Sequence, residues 1–142
     1  MIERYTLPEM GRVWSDQHKY DLWCRVETLV LEAHAAAGRV PADVVEPVRN
    51  APPPTPERVA EIEETTQHDV IAFLTAWADN TEPRAAAAYV HHGMTSSDLL
   101  DTALAVQMLA VGDPSLRTAL ETFKANFEKA AVDGLAAAQD AR

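Results

Sequence analysis

Apolar residues along this chain recur at spacings of three and four almost throughout, and no stretch alternates long enough to define a β-strand. That period belongs to amphipathic helices, so the pattern predicts an all-α protein. Ser15 is placed to cap a first long helix running to about Ala37, with Trp23, Val26, Val30, Ala33 and Ala37 as its core stripe and Gly38 as its stop. From Val40 to Pro56 the prolines at 41, 47 and 52–54 forbid a long helix, which leaves a short helical turn and a stiff linker. Thr55 followed by Pro56 starts the next helix, whose glutamates 57, 61, 63 and 64 read as a solvated face. Val70, Phe73, Leu74 and Trp77 mark a further buried stripe that ends near Asn80 at a Thr-Glu-Pro turn, and Pro83 to Val90 reads as a short helix. Leu100, Ala103, Leu104 and Gln107 carry a helix to Gly112. Asp113-Pro114 opens another with Leu116, Leu120, Phe123, Phe127 and Ala130 on one face, and the two predict an antiparallel hairpin.

Charge narrows the partners. Twelve basic residues stand against 22 acidic ones, a formal net charge of −10, which argues against DNA or RNA as partner but leaves a single nucleotide open. No apolar run approaches the roughly 20 residues that span a bilayer, and charged residues follow Met1, so no membrane partner and a cytoplasmic location are expected. Cys24 is alone and reads as a small core hydrophobe. A metal site is not expected: His91 and His92 point in different directions on any regular element, and His18 and His34 lie too far apart on one helix to converge.

Three segments carry candidate chemistry. The stretch YVHHGMTSSDLLDTA, residues 89–103, puts a Thr-Ser-Ser-Asp run directly before an amphipathic helix. Thr95, Ser96 and Ser97 can offer hydroxyl and backbone N–H groups where unpaired amides and the helix dipole favour a phosphate or carboxylate. By composition alone such a run is more often a cap than a ligand site. Arg4 has a fork geometry suited to phosphate or carboxylate, with the Tyr5 hydroxyl and ring beside it, although an Arg-Tyr pair near an N-terminus is more often a solvated arm. His68-Asp69 lies at the junction of two helical patterns, where the imidazole can move a proton and the carboxylate can orient it. The plainer alternative is that Asp69 caps the following helix and His68 packs.

Together these segments resemble the adenylosuccinate lyase family of the aspartase/fumarase superfamily. MIERYTLPEMGRVWSDQHKYDLWCRVE is similar to that family's N-terminus, EIEETTQHDVIAF to its first histidine segment, and VHHGMTSSDLLDTA to its first superfamily signature. The related argininosuccinate lyases and fumarases differ at Thr95-Ser96, and the cycloisomerase relatives lack the His-Asp-Val of positions 68 to 70. The resemblance implies a small helical N-terminal domain over residues 1–94, followed from residue 95 to 142 by the first long antiparallel helices of a central helical bundle.

It also implies a reaction: β-elimination of fumarate from adenylosuccinate, giving AMP, and from the succinyl-aminoimidazole carboxamide ribotide of purine biosynthesis. The implied partner is a small purine nucleotide, no cofactor is needed, and the active sites are shared among the subunits of a homotetramer. Carried onto this chain, Arg4, Tyr5, Gln67, Asp69, Thr95 and Ser96 bind substrate, and His68 both binds substrate and takes a catalytic role. Gln67 departs from the Arg that many members carry, which removes a charge from that contact. The family's second histidine motif, of the form T-H-x-x-x-A-E-P, and its catalytic serine loop do not occur before Arg142, and the AAAQDAR ending has no stop signal. The expectation is therefore a piece of a lyase that is inactive alone. Two alternatives remain at this level: a short non-catalytic paralogue or helical interaction module, and a different fumarate-releasing lyase of the superfamily.

Overall fold

The computed structural model describes residues 3–111 together with Thr118 and Thr122, and is all-α, with no strand among the described residues. The chain divides into a compact unit reaching Gln107 and a second that begins at Met108. A 3-10 turn at Glu3–Tyr5 precedes α1 (Pro8–Val13) and α2 (Asp16–Ala36); a second, Ala42–Val44, runs into α3 (Val45–Asn50). Then come α4 (Pro56–Thr66), α5 (Asp69–Asn80), a third 3-10 segment at Arg84–Tyr89 where a short helix was expected, and α6 (Ser96–Val111). The expected helix from Asp113, with Leu116, Leu120, Phe123, Phe127 and Ala130, lies outside the described residues.

Start signals read from the sequence act as caps. The side chain of Ser15 accepts from the His18 N–H at 3.2 Å, and that of Thr55 from the Arg58 N–H at 3.3 Å, with Pro56 at the first helical position. Gly38 takes φ +68° just past the end of α2, the left-handed turn that only glycine adopts without strain.

The face of α2 is turned from the expected one. Ala33 and Ala37 are exposed and Val26 and Val30 only half-buried, whereas Tyr20, Cys24, Glu27 and Leu31, spaced 4, 3 and 4, point inward with Trp23. A scan for apolar residues discards Glu27, so it picks the neighbouring stripe. On α6 the inward residues are Leu99, Ala103 and Gln107; Leu104, expected with them, is exposed, because a strict four-residue step leaves it on the next row.

The core is an aromatic cluster between α2 and α5. Trp23 meets Phe73 edge-on with ring centroids 5.1 Å apart, Tyr20 meets Trp23 edge-on at 5.5 Å, and Tyr20 and Trp77 stack on Phe73 at 5.7 and 5.8 Å. Val48, Val59, Val70, Ala72 and Leu99 close around it from α3, α4, α5 and α6. The linker at Pro52–Pro54 has no amide donors of its own, and its carbonyls are served by side chains. Asn80 donates to the Pro52 carbonyl at 3.0 Å and Gln17 to that of Pro54 at 3.4 Å, while Trp77 Nε1 donates to the preceding Ala51 carbonyl at 3.4 Å. The stiff segment is thus fastened to both α2 and α5.

Candidate functional site

The α4–α5 junction places the first candidate residues. Gln67 ends α4 in the left-handed region at φ +51°, and its side-chain amide donates back to the Glu64 carbonyl at 2.9 Å, satisfying one of the carbonyls a helix end leaves open. His68 is the N-cap of α5: its Nδ1 accepts from the Ile71 N–H at 3.4 Å. Asp69 accepts from the Val70 N–H at 2.7 Å, and its Oδ1 lies 3.4 Å from the same His68 Nδ1. One nitrogen cannot accept from Ile71 and donate to Asp69 at once. The neutral ring caps α5 with its proton on Nε2; the protonated ring pairs with Asp69. The helix cap is thus His68, where the plainer sequence reading gave that task to Asp69. Both side chains are about half exposed, so they face outward from the fold.

At the start of α6, Asp98 reaches back to Thr95: its carboxylate accepts from the Thr95 N–H at 2.8 Å and from its hydroxyl at 3.1 Å. The Thr95 N–H, then its hydroxyl, hold the Asp98 carboxyl below the usual carboxylate value, with a smaller contribution from the nearby charge of His91. Among the described residues no side chain accepts from the N–H groups of Ser96 or Ser97, so the helix terminus keeps donors for an anion. At the N-terminal turn the Arg4 guanidinium lies over the Tyr5 ring, 4.8 Å from its centroid, and the ring is exposed.

These segments are not joined to one another. Among the described residues no hydrogen bond, ion pair or ring contact links Arg4-Tyr5, Gln67-His68-Asp69 and Thr95-Ser96. Three open surface grooves, of about 350 to 440 Å³, are lined instead by residues such as Arg25, Glu32, Glu46, Arg49 and Asn80, and none includes a candidate residue. Among the described residues no group of three or more His, Cys, Asp or Glu side chains is placed to hold a metal ion, and no helix is long and apolar enough to cross a membrane.

One arrangement escaped the sequence reading. Glu27, fully buried on α2, accepts from the His91 backbone N–H at 2.9 Å through Oε2 and lies 2.6 Å from His91 Nδ1 through Oε1. His91 holds φ +64°, and Gly93 turns the chain at φ +73° ahead of α6. His34 Nε2 lies 2.9 Å from the His92 carbonyl, with the two rings edge-on at 5.3 Å. The one available signal was a carboxylate at an inward position of an otherwise apolar row.

Comparison with known proteins bears on what this surface is. No family model matches the chain. It is 50% identical over 110 residues to an adenylosuccinate lyase from Synechocystis, a match covering 78% of this chain and 25% of that protein. By sequence the chain is a relative of the adenylosuccinate lyases. The adenylosuccinate lyase of Bacillus subtilis is 40% identical over 124 residues, covering 87% of this chain and 28% of its own length. The chain thus spans about a quarter of the length of the curated relatives it matches. Among solved structures, a fumarate lyase from Mesorhizobium superposes with a TM-score of 0.60 at 24% identity, over 70% of this chain and 24% of that one, which confirms the all-α fold. The candidate residues lie on the N-terminal turn and at helix ends, Ser96 half-buried and the others exposed.

Proposed function

We propose that this chain supplies part of the active site of an adenylosuccinate lyase, releasing fumarate from adenylosuccinate to give AMP and from the corresponding succinyl-aminoimidazole carboxamide ribotide. The sequence match to adenylosuccinate lyases carries the reading. In this reaction a base removes the proton from the carbon beside a succinyl carboxylate, donors stabilise the carbanion, the carbon–nitrogen bond breaks, and an acid protonates the departing nitrogen. His68 flanks the reacting group and carries or orients a proton, with Asp69 beside it; an imidazole that exchanges a cap for an ion pair on protonation suits that task. Thr95 and Ser96 hold a carboxylate or phosphate at the α6 terminus. Arg4, Tyr5 and Gln67 bind the rest of the nucleotide. Residues from Thr95 onward begin a central bundle through which a cytoplasmic homotetramer completes each site, and no cofactor takes part.

The outward exposure of His68 and Asp69, and their absence from the lining of the three open grooves, support a second element of the proposal: the chain alone does not turn over. The test is a chimera in which this chain replaces the matching part of the Bacillus subtilis relative. Fumarate release by the chimera, with none from the 142-residue chain alone, is the expected result. A folded, oligomeric chimera that releases no fumarate contradicts the assignment, and release from the isolated chain that His68→Ala abolishes contradicts its inactivity.

A further inference from the structure

We propose that Glu27 is a positioning residue: its buried carboxylate fixes His91 as the Nδ1–H tautomer and so leaves the ring's lone pair on the opposite nitrogen, Nε2, on the turn that leads into α6. The inference deepens the proposed function, on which it rests for the reaction that the ring attends.

The first support is the cost of the arrangement. A carboxylate is expensive to bury, and it persists in a core only when its oxygens are bonded. Glu27 is 1% exposed and lies in the same row of α2 as Tyr20, Cys24 and Leu31. Its two oxygens go to one residue 64 positions away, Oε2 to the His91 backbone N–H and Oε1 to His91 Nδ1. A leucine there would fill the core with no such cost, so the carboxylate's effect lies in what it does to His91.

That effect is specific. Two bonds on one residue fix both the backbone and the ring, and they hold His91 in the left-handed conformation at φ +64°. A carboxylate accepting at 2.6 Å places the ring proton on Nδ1 and leaves the lone pair of the neutral imidazole on Nε2, on the far side of the ring from Glu27. Held this way, the His91 side chain is still 20% exposed. The Met94 N–H donates to the His91 carbonyl at 3.4 Å, so His91 stands on the turn that leads into α6, at whose start no side chain among the described residues accepts from the Ser96 or Ser97 N–H. Among the described residues, the charged side chain bonded to His91 is Glu27 from α2.

The experiment reads the tautomer directly. In the ¹⁵N-labelled chain, in mildly alkaline buffer, long-range ring correlations of His91 should show the proton on Nδ1. Glu27→Gln keeps the size of the side chain but supplies an NH₂ donor, and should move the ring proton to Nε2; Glu27→Asp, which keeps the carboxylate, should retain Nδ1–H. An Nε2–H ring in the native chain overturns the proposal, as does the same tautomer in native and Glu27→Gln protein. If Glu27→Gln fails to fold, the native tautomer decides alone. In the chimera, Glu27→Gln should lower kcat by roughly ten- to a hundredfold with KM little changed, and Glu27→Asp should restore most of it. An unchanged kcat in Glu27→Gln also overturns the role. A chimera already inactive with Glu27 in place marks failure of the proposed reaction, and the tautomer then decides the positioning role by itself.

Discussion

Glu27 shows how a single side chain can carry more structure than its neighbours. Truncating it to alanine leaves the His91 N–H and ring nitrogen, both half-buried, without their acceptor, which costs their desolvation. We predict a loss of about 1 to 3 kcal/mol in urea unfolding for Glu27→Ala. A loss below about 1 kcal/mol would mean that the carboxylate is not committed to this pair. The neighbouring Cys24 gives a second prediction. Burial, then the charges of Asp21 and Glu27, push its thiol well above the usual range, so it stays protonated and inert in the folded protein. Iodoacetamide at pH 8 should leave it unmodified until the chain unfolds; modification of the native protein at the rate of a free thiol would contradict this. Neither residue's setting was legible in the sequence in the same degree. Cys24 follows from its apolar helix face, whereas the partner of Glu27 lies 64 residues away, on a loop whose path only the tertiary fold defines.

At the scale of elements, helix starts were the most legible feature because their chemistry is local: Ser15 and Thr55 each sit three residues before the amide they cap. The aromatic row of α5 was equally readable, and Phe73, wedged among Tyr20, Trp23 and Trp77, is its centre. Phe73→Ala should cost about 3 to 5 kcal/mol by denaturant unfolding, since rigid rings on three sides limit collapse of the cavity. A cost under about 1 kcal/mol would show a core that closes freely. The faces of α2 and α6 were less legible, because a helix turns to bury whichever row the rest of the fold satisfies, including one that contains Glu27 or Gln107. Gln107 is buried because its amide donates to the Val13 carbonyl at 2.8 Å, a bond no local pattern announces. The α6 cap carries a pH signature. A carboxyl lowered in the folded state contributes stability that is fully present above its unfolded value and is lost as pH falls through the folded one. The Thr95 amide shift should therefore titrate with a midpoint below 3.8, and a midpoint at or above 3.8 would show that Asp98 is not held by Thr95.

For the whole molecule, the helical class and the candidate segments could be read from the sequence, but their assembly could not. Arg4-Tyr5, His68-Asp69 and Thr95-Ser96 make no hydrogen bond, ion pair or ring contact with one another among the described residues, and all but the half-buried Ser96 are exposed. A sequence records which side chains are present; an enclosed site also needs walls, and the grooves found here are lined by other residues. We propose that His68 acts on the substrate of an adenylosuccinate lyase. The most direct measurement is kcat for fumarate release from adenylosuccinate by the Bacillus subtilis chimera, with and without His68→Ala. Turnover in the parent chimera is expected, with a fall of about 10²- to 10⁴-fold in the variant, the range of a lost proton-transfer group. Equal turnover in the two proteins would contradict it.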